Sequence, residues 1–175
     1  MIAKKEGYGP RRSILIMPVS GEEKGLLGSK YYTDNPVYPL NNTIANLNID
    51  MIGRLDDWHS TGDYVYLIGS DRLSYDLHNI NEEINSNYTK LELDYKYNDE
   101  DDPNRYYYRS DHYNFAKNNI PVIFYFNGVH EDYHRPSDTI EKLDFNKIKK
   151  ISKLIFLTAW ELANREERIK LRDDL

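Results

Sequence analysis

Ser13-Ile14-Leu15-Ile16-Met17-Pro18-Val19, followed by Ser20-Gly21-Glu22-Glu23-Lys24-Gly25-Leu26-Leu27-Gly28-Ser29, is the stretch on which the fold turns. The first part is a near-continuous apolar run and reads as a strand buried on both faces. Pro18 is its one blemish, because proline removes a ladder donor. The second part sets glycines around two adjacent acids and leads into a short apolar segment, Leu26 to Tyr32, giving strand, tight turn, helix. Open α/β sheets place their chemistry at the carboxyl ends of strands. Two carboxylates side by side there repel each other and lose hydration unless a cation or a proton sits between them. Glu22 and Glu23 therefore mark either a metal or acid–base site, or a helix N-terminus where negative charge is favourable.

The rest of the chain extends the pattern. Thr43 to Asp50 alternates apolar and polar residues and ends on an acid, so it reads as a strand with Asp50 at its carboxyl end. Tyr64–Ile68 and Pro121–Phe126 are further apolar strands, and Leu91–Tyr97 alternates like an edge strand. Leu73, Leu77, Ile80 and Ile84 recur at helical spacing, which predicts an amphipathic helix over Ser70–Asn87. A shorter helix starts at Ser110 or Asp111. The last runs from about Phe145 to Arg168, with Ile148, Ile151, Leu154, Ile155, Thr158 and Leu162 on its packed face. Met1 to Arg12 reads as a frayed helix end and a turn. The expected class is α/β, with helices on both faces of a mixed sheet, in a single domain spanning 1–175.

Composition narrows the chemistry. A chain of 175 residues suits one domain and buries roughly 70% of its unfolded surface. A net charge of -6 argues against a nucleic-acid surface, which needs a concentrated basic patch. No apolar run is long enough to span a bilayer. The absence of cysteine leaves His, Asp and Glu as the strong metal ligands. Sixteen tyrosines exceed what a core needs and point to aromatic walls around a cleft or partner surface. The amino terminus lacks the apolar segment of a signal peptide.

Three strand ends then line up: Glu22 with Glu23, Asp50, and the loop holding His130 and His134. Brought together, such donors suit zinc. His130-Glu131-Asp132-Tyr133-His134 also matches H-E-x-x-H literally. That motif works only on a helix, and Gly128 before it and Pro136 after it leave little room for one. The acidic run Asn98 to Pro103 lacks the glycine and the distant bidentate Glu of a calcium loop, so it reads as a solvated loop. His59 and His78 read as surface residues. His112 follows Asp111 at a helix start, where a cap or an orienting hydrogen bond competes with a catalytic role.

Arg12-Ser13-Ile14-Leu15 through Ser29, then Asn48-Ile49-Asp50-Met51-Ile52-Gly53-Arg54, Ser110-Asp111-His112-Tyr113-Asn114-Phe115, Asn119-Ile120-Pro121-Val122 and Asp132-Tyr133-His134-Arg135-Pro136-Ser137-Asp138-Thr139 together resemble the di-zinc aminopeptidase family. That family includes leucyl aminopeptidases, with glutamate carboxypeptidases and glutaminyl cyclases as relatives. The resemblance implies a three-layer αβα fold on a mostly parallel sheet, and hydrolysis of N-terminal peptide bonds by metal-activated water. It implies Glu22 as general base, Glu23 and His134 as ligands of one zinc, and Asp50 as a ligand of the other. Asp111, His112, Asp138 and Tyr108 take supporting or substrate-binding places, and the zinc-helix reading of His130 to His134 falls away.

The family also carries a His-x-Asp motif and a metal-bridging aspartate upstream of the Gly-Glu-Glu turn, and this sequence has neither. The chain therefore resembles the carboxyl-terminal part of a catalytic domain without its first strands. Expected are at most one weakly held zinc, weak or absent turnover, and an uncovered sheet edge open to self-association. The alternative is a non-catalytic remnant or peptide-binding module, with Tyr106 to Tyr108 lining a binding surface. For a full-length protein the resemblance implies a secreted or periplasmic location.

Overall fold

A computed structural model describes residues 7 and 9–174. The readings placed on residues 1–6 and 8 lie outside it. In chain order the elements are α1 (Leu27–Asp34), β1 (Asn46–Ile49), β2 (Tyr64–Ile68), α2 (Tyr75–Ile84), β3 (Glu92–Asp94), α3 (His112–Ala116), β4 (Val122–Phe126) and α4 (Phe145–Asn164). The sheet order is β1-β4-β2-β3. β1 runs parallel to β4, and β3 parallel to β2, while β2 and β4 are antiparallel. The sheet is thus mixed and mostly parallel, as read from the sequence.

Side-chain alternation along the two central strands builds the layers. Val65, Leu67, Ile123 and Tyr125 point to one face and pack with Leu77 and Ile80 of α2 and Ile151, Leu154 and Ile155 of α4. Tyr64, Tyr66, Ile68, Val122, Phe124 and Phe126 point to the other, against Phe115 and Ala116 of α3 and Tyr32 of α1. Both strands are buried along their whole length, which is why their sequences are continuous apolar runs. Burying each large apolar side chain contributes about 1.5–3 kcal/mol.

The helix ends follow their caps. α2 starts at Tyr75 rather than Ser70, because the Ser74 hydroxyl caps the Leu77 amide at 3.3 Å. Beyond Ile84 the helix widens into a π turn, Asn85–Thr89, and the Asn85 side chain bonds both backbone groups of Leu91, at 2.8 and 2.9 Å. α4 is capped by Asp144, which accepts from Asn146 and Lys147, and it stops at Asn164, four residues short of the sequence reading. The expected edge strand at 91–97 is reduced to β3.

One strand reading is overturned, and His59, read as a surface residue, is instead mostly buried, stacked on Tyr64 and bonded to Asp56 at 2.9 Å. Residues 13–19 form no strand, and Ile14, Leu15 and Ile16 are 43%, 53% and 86% exposed. The run has the composition of a buried strand, but a strand exists only where a neighbour supplies the ladder. Among the described residues no strand lies beside this segment, and Pro18 offers no donor of its own. β1 is consequently a sheet edge, paired on one side by β4 alone.

Candidate metal centre

Because β1 and β4 are parallel, their carboxyl ends share one end of the sheet. Asp50 directly follows β1, and the loop from Asn127 to Asp138 follows β4. The Gly21-Glu22-Glu23 turn, a short 3₁₀ segment, comes to the same place. Gly28 holds it there: the Gly28 amide donates to the Ser20 carbonyl at 2.9 Å, and a Cβ at residue 28 would fall 2.6 Å from that oxygen. Each of the three segments contains a left-handed residue: Gly21 (φ 71), Met51 (φ 54) and His134 (φ 57). For Met51 and His134 such backbone costs about 1–3 kcal/mol and persists where the surroundings over-determine it.

The side chains converge as follows. His134 Nε2 lies 2.7 Å from Glu23 Oε1, although the two residues are 111 apart in sequence. The Tyr133 ring stacks on the His134 ring, with centroids 3.8 Å apart. The Ser110 hydroxyl donates to Asp50 Oδ2 at 2.8 Å and is itself oriented by the Asn48 amide at 2.9 Å. Burial pushes the Glu22 carboxyl up to about 7, and repulsion from Asp50, Glu23 and Asp111 adds to it. Asp50 is raised too, first by burial and then by Asp111 and Glu23, against the opposing Ser110 bond. Glu22, Glu23, Asp50 and Asp111 thus lie near enough to repel one another, and His134 offsets part of that repulsion at Glu22 and Asp50.

This donor set fits a divalent metal in kind. Imidazole and carboxylate are zinc ligands, and a cation would offset the burial and the smaller mutual repulsion that raise Glu22 and Asp50. A tetrahedral zinc keeps neighbouring donors about 3.3 Å apart, so Glu23 and His134 need part only slightly. In number the set is short. Asp50 does not join them in a compact group of three.

Among the described residues the one such group is His130, Asp132 and Asp138, with ligand atoms within 4.8 Å. Cations already occupy it. Arg54 reaches Asp132 at 2.6 Å and Asp138 at 2.5 Å, while Lys142 reaches both Asp132 oxygens at 2.7 Å. The Lys142, Ser137 and Arg54 bonds hold the Asp132 carboxyl far below its usual range. An ion-pair network of this kind, not a metal site, explains the cluster.

The remaining sequence candidates separate. Residues 130–138 form successive turns, not a helix, and His130 faces Asp138 at 3.7 Å while His134 faces Glu23. His130 and His134 therefore do not share an ion. Asp138 contributes to the Arg54 network. Asp111 accepts from the buried Ser29 hydroxyl, which Asn114 also contacts at 2.8 Å, so it ties α1 to α3 beside the site.

His112 is a core residue. It is fully buried, its ring stacks on Phe124 at 4.7 Å, and burial pushes it down to about 3. The Tyr107 backbone favours its charged form, yet neither ring nitrogen has a partner at hydrogen-bonding geometry among the described residues. Tyr108 is 38% exposed and meets Tyr107 and Tyr113 edge-on.

Sequence reasoning passed over Tyr133, Arg54 and Ser110 as site residues. Tyr133 lies beside the ligand candidate His134, and adjacency was the available signal. Its phenol is raised first by burial and then by Glu23, with smaller pushes from Glu22 and Asp50, so it keeps its proton. Tyr133 also borders an open cavity of about 370 Å³, lined among others by Asp56, Trp58, Tyr97 and His130.

Residues 2–159 match the profile of peptidase family M28. A comparison with curated proteins found no match. Among solved structures, the LapA aminopeptidase of Legionella pneumophila is 25% identical with a TM-score of 0.65, covering 85% of this chain and 38% of its own. BSAP, a zinc aminopeptidase from Bacillus subtilis, is 21% identical with a TM-score of 0.66, covering 89% and 38%. LapB from Legionella pneumophila is 18% identical with a TM-score of 0.73, covering 94% and 43%. The last two likenesses speak to the fold alone. The chain spans less than half the length of each of these relatives.

Proposed function

The chain belongs to peptidase family M28, and from that premise we propose that Glu22, Glu23, Asp50 and His134 form part of a zinc aminopeptidase centre. The observation that carries this reading is the 2.7 Å approach of His134 to Glu23 beside a Glu22 carboxyl raised to about 7. Glu23 and His134 would hold one zinc, and Asp50 would face a second. When bound, zinc supplies Lewis-acid polarisation of a carbonyl and acidifies water.

The chain's own residues do the rest. Glu22 is the proton acceptor, a carboxylate held by the Gly21 turn next to the ligand Glu23, and general base catalysis needs such a positioned group. Ser110 and Asn48 fix the direction of the Asp50 carboxylate. Tyr133 keeps its proton and can donate a hydrogen bond to negative charge developing on a substrate oxygen. The open cavity beside it offers room for part of a peptide.

A catalytic zinc normally takes three protein ligands, and Glu23 with His134 make two. We therefore assign the remaining ligands to residues outside these 175, with weak metal binding and weak turnover by this chain alone. The same shortage favours a second reading, a peptide-binding module that keeps the fold without catalysis.

The test is hydrolysis of an aminoacyl-anilide with zinc and with chelator. Zinc-dependent release that falls about 10²-fold or more in Glu22→Gln supports the enzyme. Tight peptide binding without any zinc-dependent release supports the module.

A further inference from the structure

We propose that Arg54 is a positioning residue: its guanidinium locks the loop that carries Asp50 to the loop that carries His134, and so sets where His134 meets Glu23. This rests on the reading of Glu23 and His134 as metal ligands.

Arg54 closes the segment Asp50-Met51-Ile52-Gly53-Arg54, which is pinned to the end of β4 by three bonds, the first from the Asp50 amide to the Tyr125 carbonyl at 3.3 Å. Met51 accepts from the Asn127 amide at 2.9 Å, and the Arg54 amide donates to Asn127 Oδ1 at 3.1 Å. From that anchor its side chain, 12% exposed, crosses to the other loop. Nη2 donates to Asp132 Oδ2 at 2.6 Å and Nη1 to Asp138 Oδ1 at 2.5 Å. These acids stand two residues before and four residues after His134. The guanidinium therefore grips the loop on both sides of a residue whose backbone is left-handed.

A planar fork can hold two carboxylates at fixed angles, which a lysine ammonium cannot reproduce. Lys142 remains on Asp132 when Arg54 is removed. Loss of Arg54 thus leaves no buried carboxylate bare. It loosens the His134 loop without unfolding the sheet.

Cobalt(II) titration of the whole chain tests the clamp, with affinity and the visible absorption of bound cobalt as readouts. The variants are Arg54→Met, Arg54→Lys, and Lys150→Met, which removes a distant cation paired with Asp63. Arg54→Met should weaken cobalt about 10–100-fold and alter the absorption, as loss of outer-sphere partners does. Arg54→Lys should recover little of this, and Lys150→Met should change nothing. Amide hydrogen exchange of the metal-free chain is the second measurement. Exchange at 132–138 should quicken about tenfold in Arg54→Met while β4 amides hold, as for local opening.

Cobalt affinity within about twofold of wild type in Arg54→Met, or unchanged exchange at 132–138, overturns the clamp. If the wild-type chain takes up no cobalt at all, the metal reading falls, and the exchange result alone decides the role of Arg54.

Discussion

Neutralising Glu22 should stabilise the metal-free chain at alkaline pH even as it removes the proposed base. The Glu22 carboxyl moves from 4.5 to about 7, through burial and then the neighbouring Asp50, Glu23 and Asp111. Its folded value lies above its unfolded one, so between these values the native state holds a proton that the unfolded chain does not. The stability this provides is full below 4.5 and is lost as pH rises through 7. Linkage puts the loss between about pH 5.5 and pH 8.5 at roughly 2 kcal/mol. The side chain is partly exposed, so solvent screening reduces this to about 1 kcal/mol.

Glu22→Gln keeps the shape and carries no charge. Urea unfolding in the presence of chelator, at both pH values, measures the difference between wild type and variant, in which every other titrating group cancels. Glu22→Gln should gain about 1 kcal/mol on wild type between pH 5.5 and pH 8.5. An equal pH slope in the two proteins would refute the claim that burial and neighbouring acids raise the Glu22 carboxyl.

His112 gives the opposite slope. Its folded value of about 3 lies below the ordinary 6.5, so stability falls as pH drops through 6.5 towards 3, by roughly 2 kcal/mol at pH 5. His112→Phe should remove that slope in urea unfolding at pH 7.5 and pH 5. A second expectation concerns the open edge of β1 and the exposed Ile14, Leu15 and Ile16 beyond the sheet. Such surface invites association, so Ile16→Lys should lower concentration-dependent light scattering without changing thermal stability. Scattering equal to wild type would place any association elsewhere.

The sequence was most legible where burial dictates composition. Tyr64–Ile68 and Val122–Phe126 lie inside both layers, so their apolar runs match the strands nearly residue for residue. Ile14 to Val19 has the same composition and is no strand, because pairing depends on a neighbour that composition does not encode. Two of the three expected strand ends exist, those before Asp50 and before the His134 loop, whereas no strand leads into Glu22 and Glu23. Parallel pairing of β1 with β4 puts Asp50 and the His134 loop side by side.

Roles within loops were harder to read. His130 and His134 share a motif, yet His130 turns to Asp138 and His134 to Glu23. His112 looked like a site residue beside Asp111, but α3 turns its ring into the core against Phe124. Arg54 was invisible as a clamp, because its two partners lie 78 and 84 residues away.

Zinc titration of the whole chain, followed by calorimetry and metal analysis, tests the central assignment most directly. Wild type should take up about one weakly held zinc, in keeping with a site short of three protein ligands. Glu23→Gln and His134→Ala should each abolish uptake, and His130→Asn should leave it intact. Zinc retained in both Glu23→Gln and His134→Ala, or lost in His130→Asn alone, would contradict the assignment.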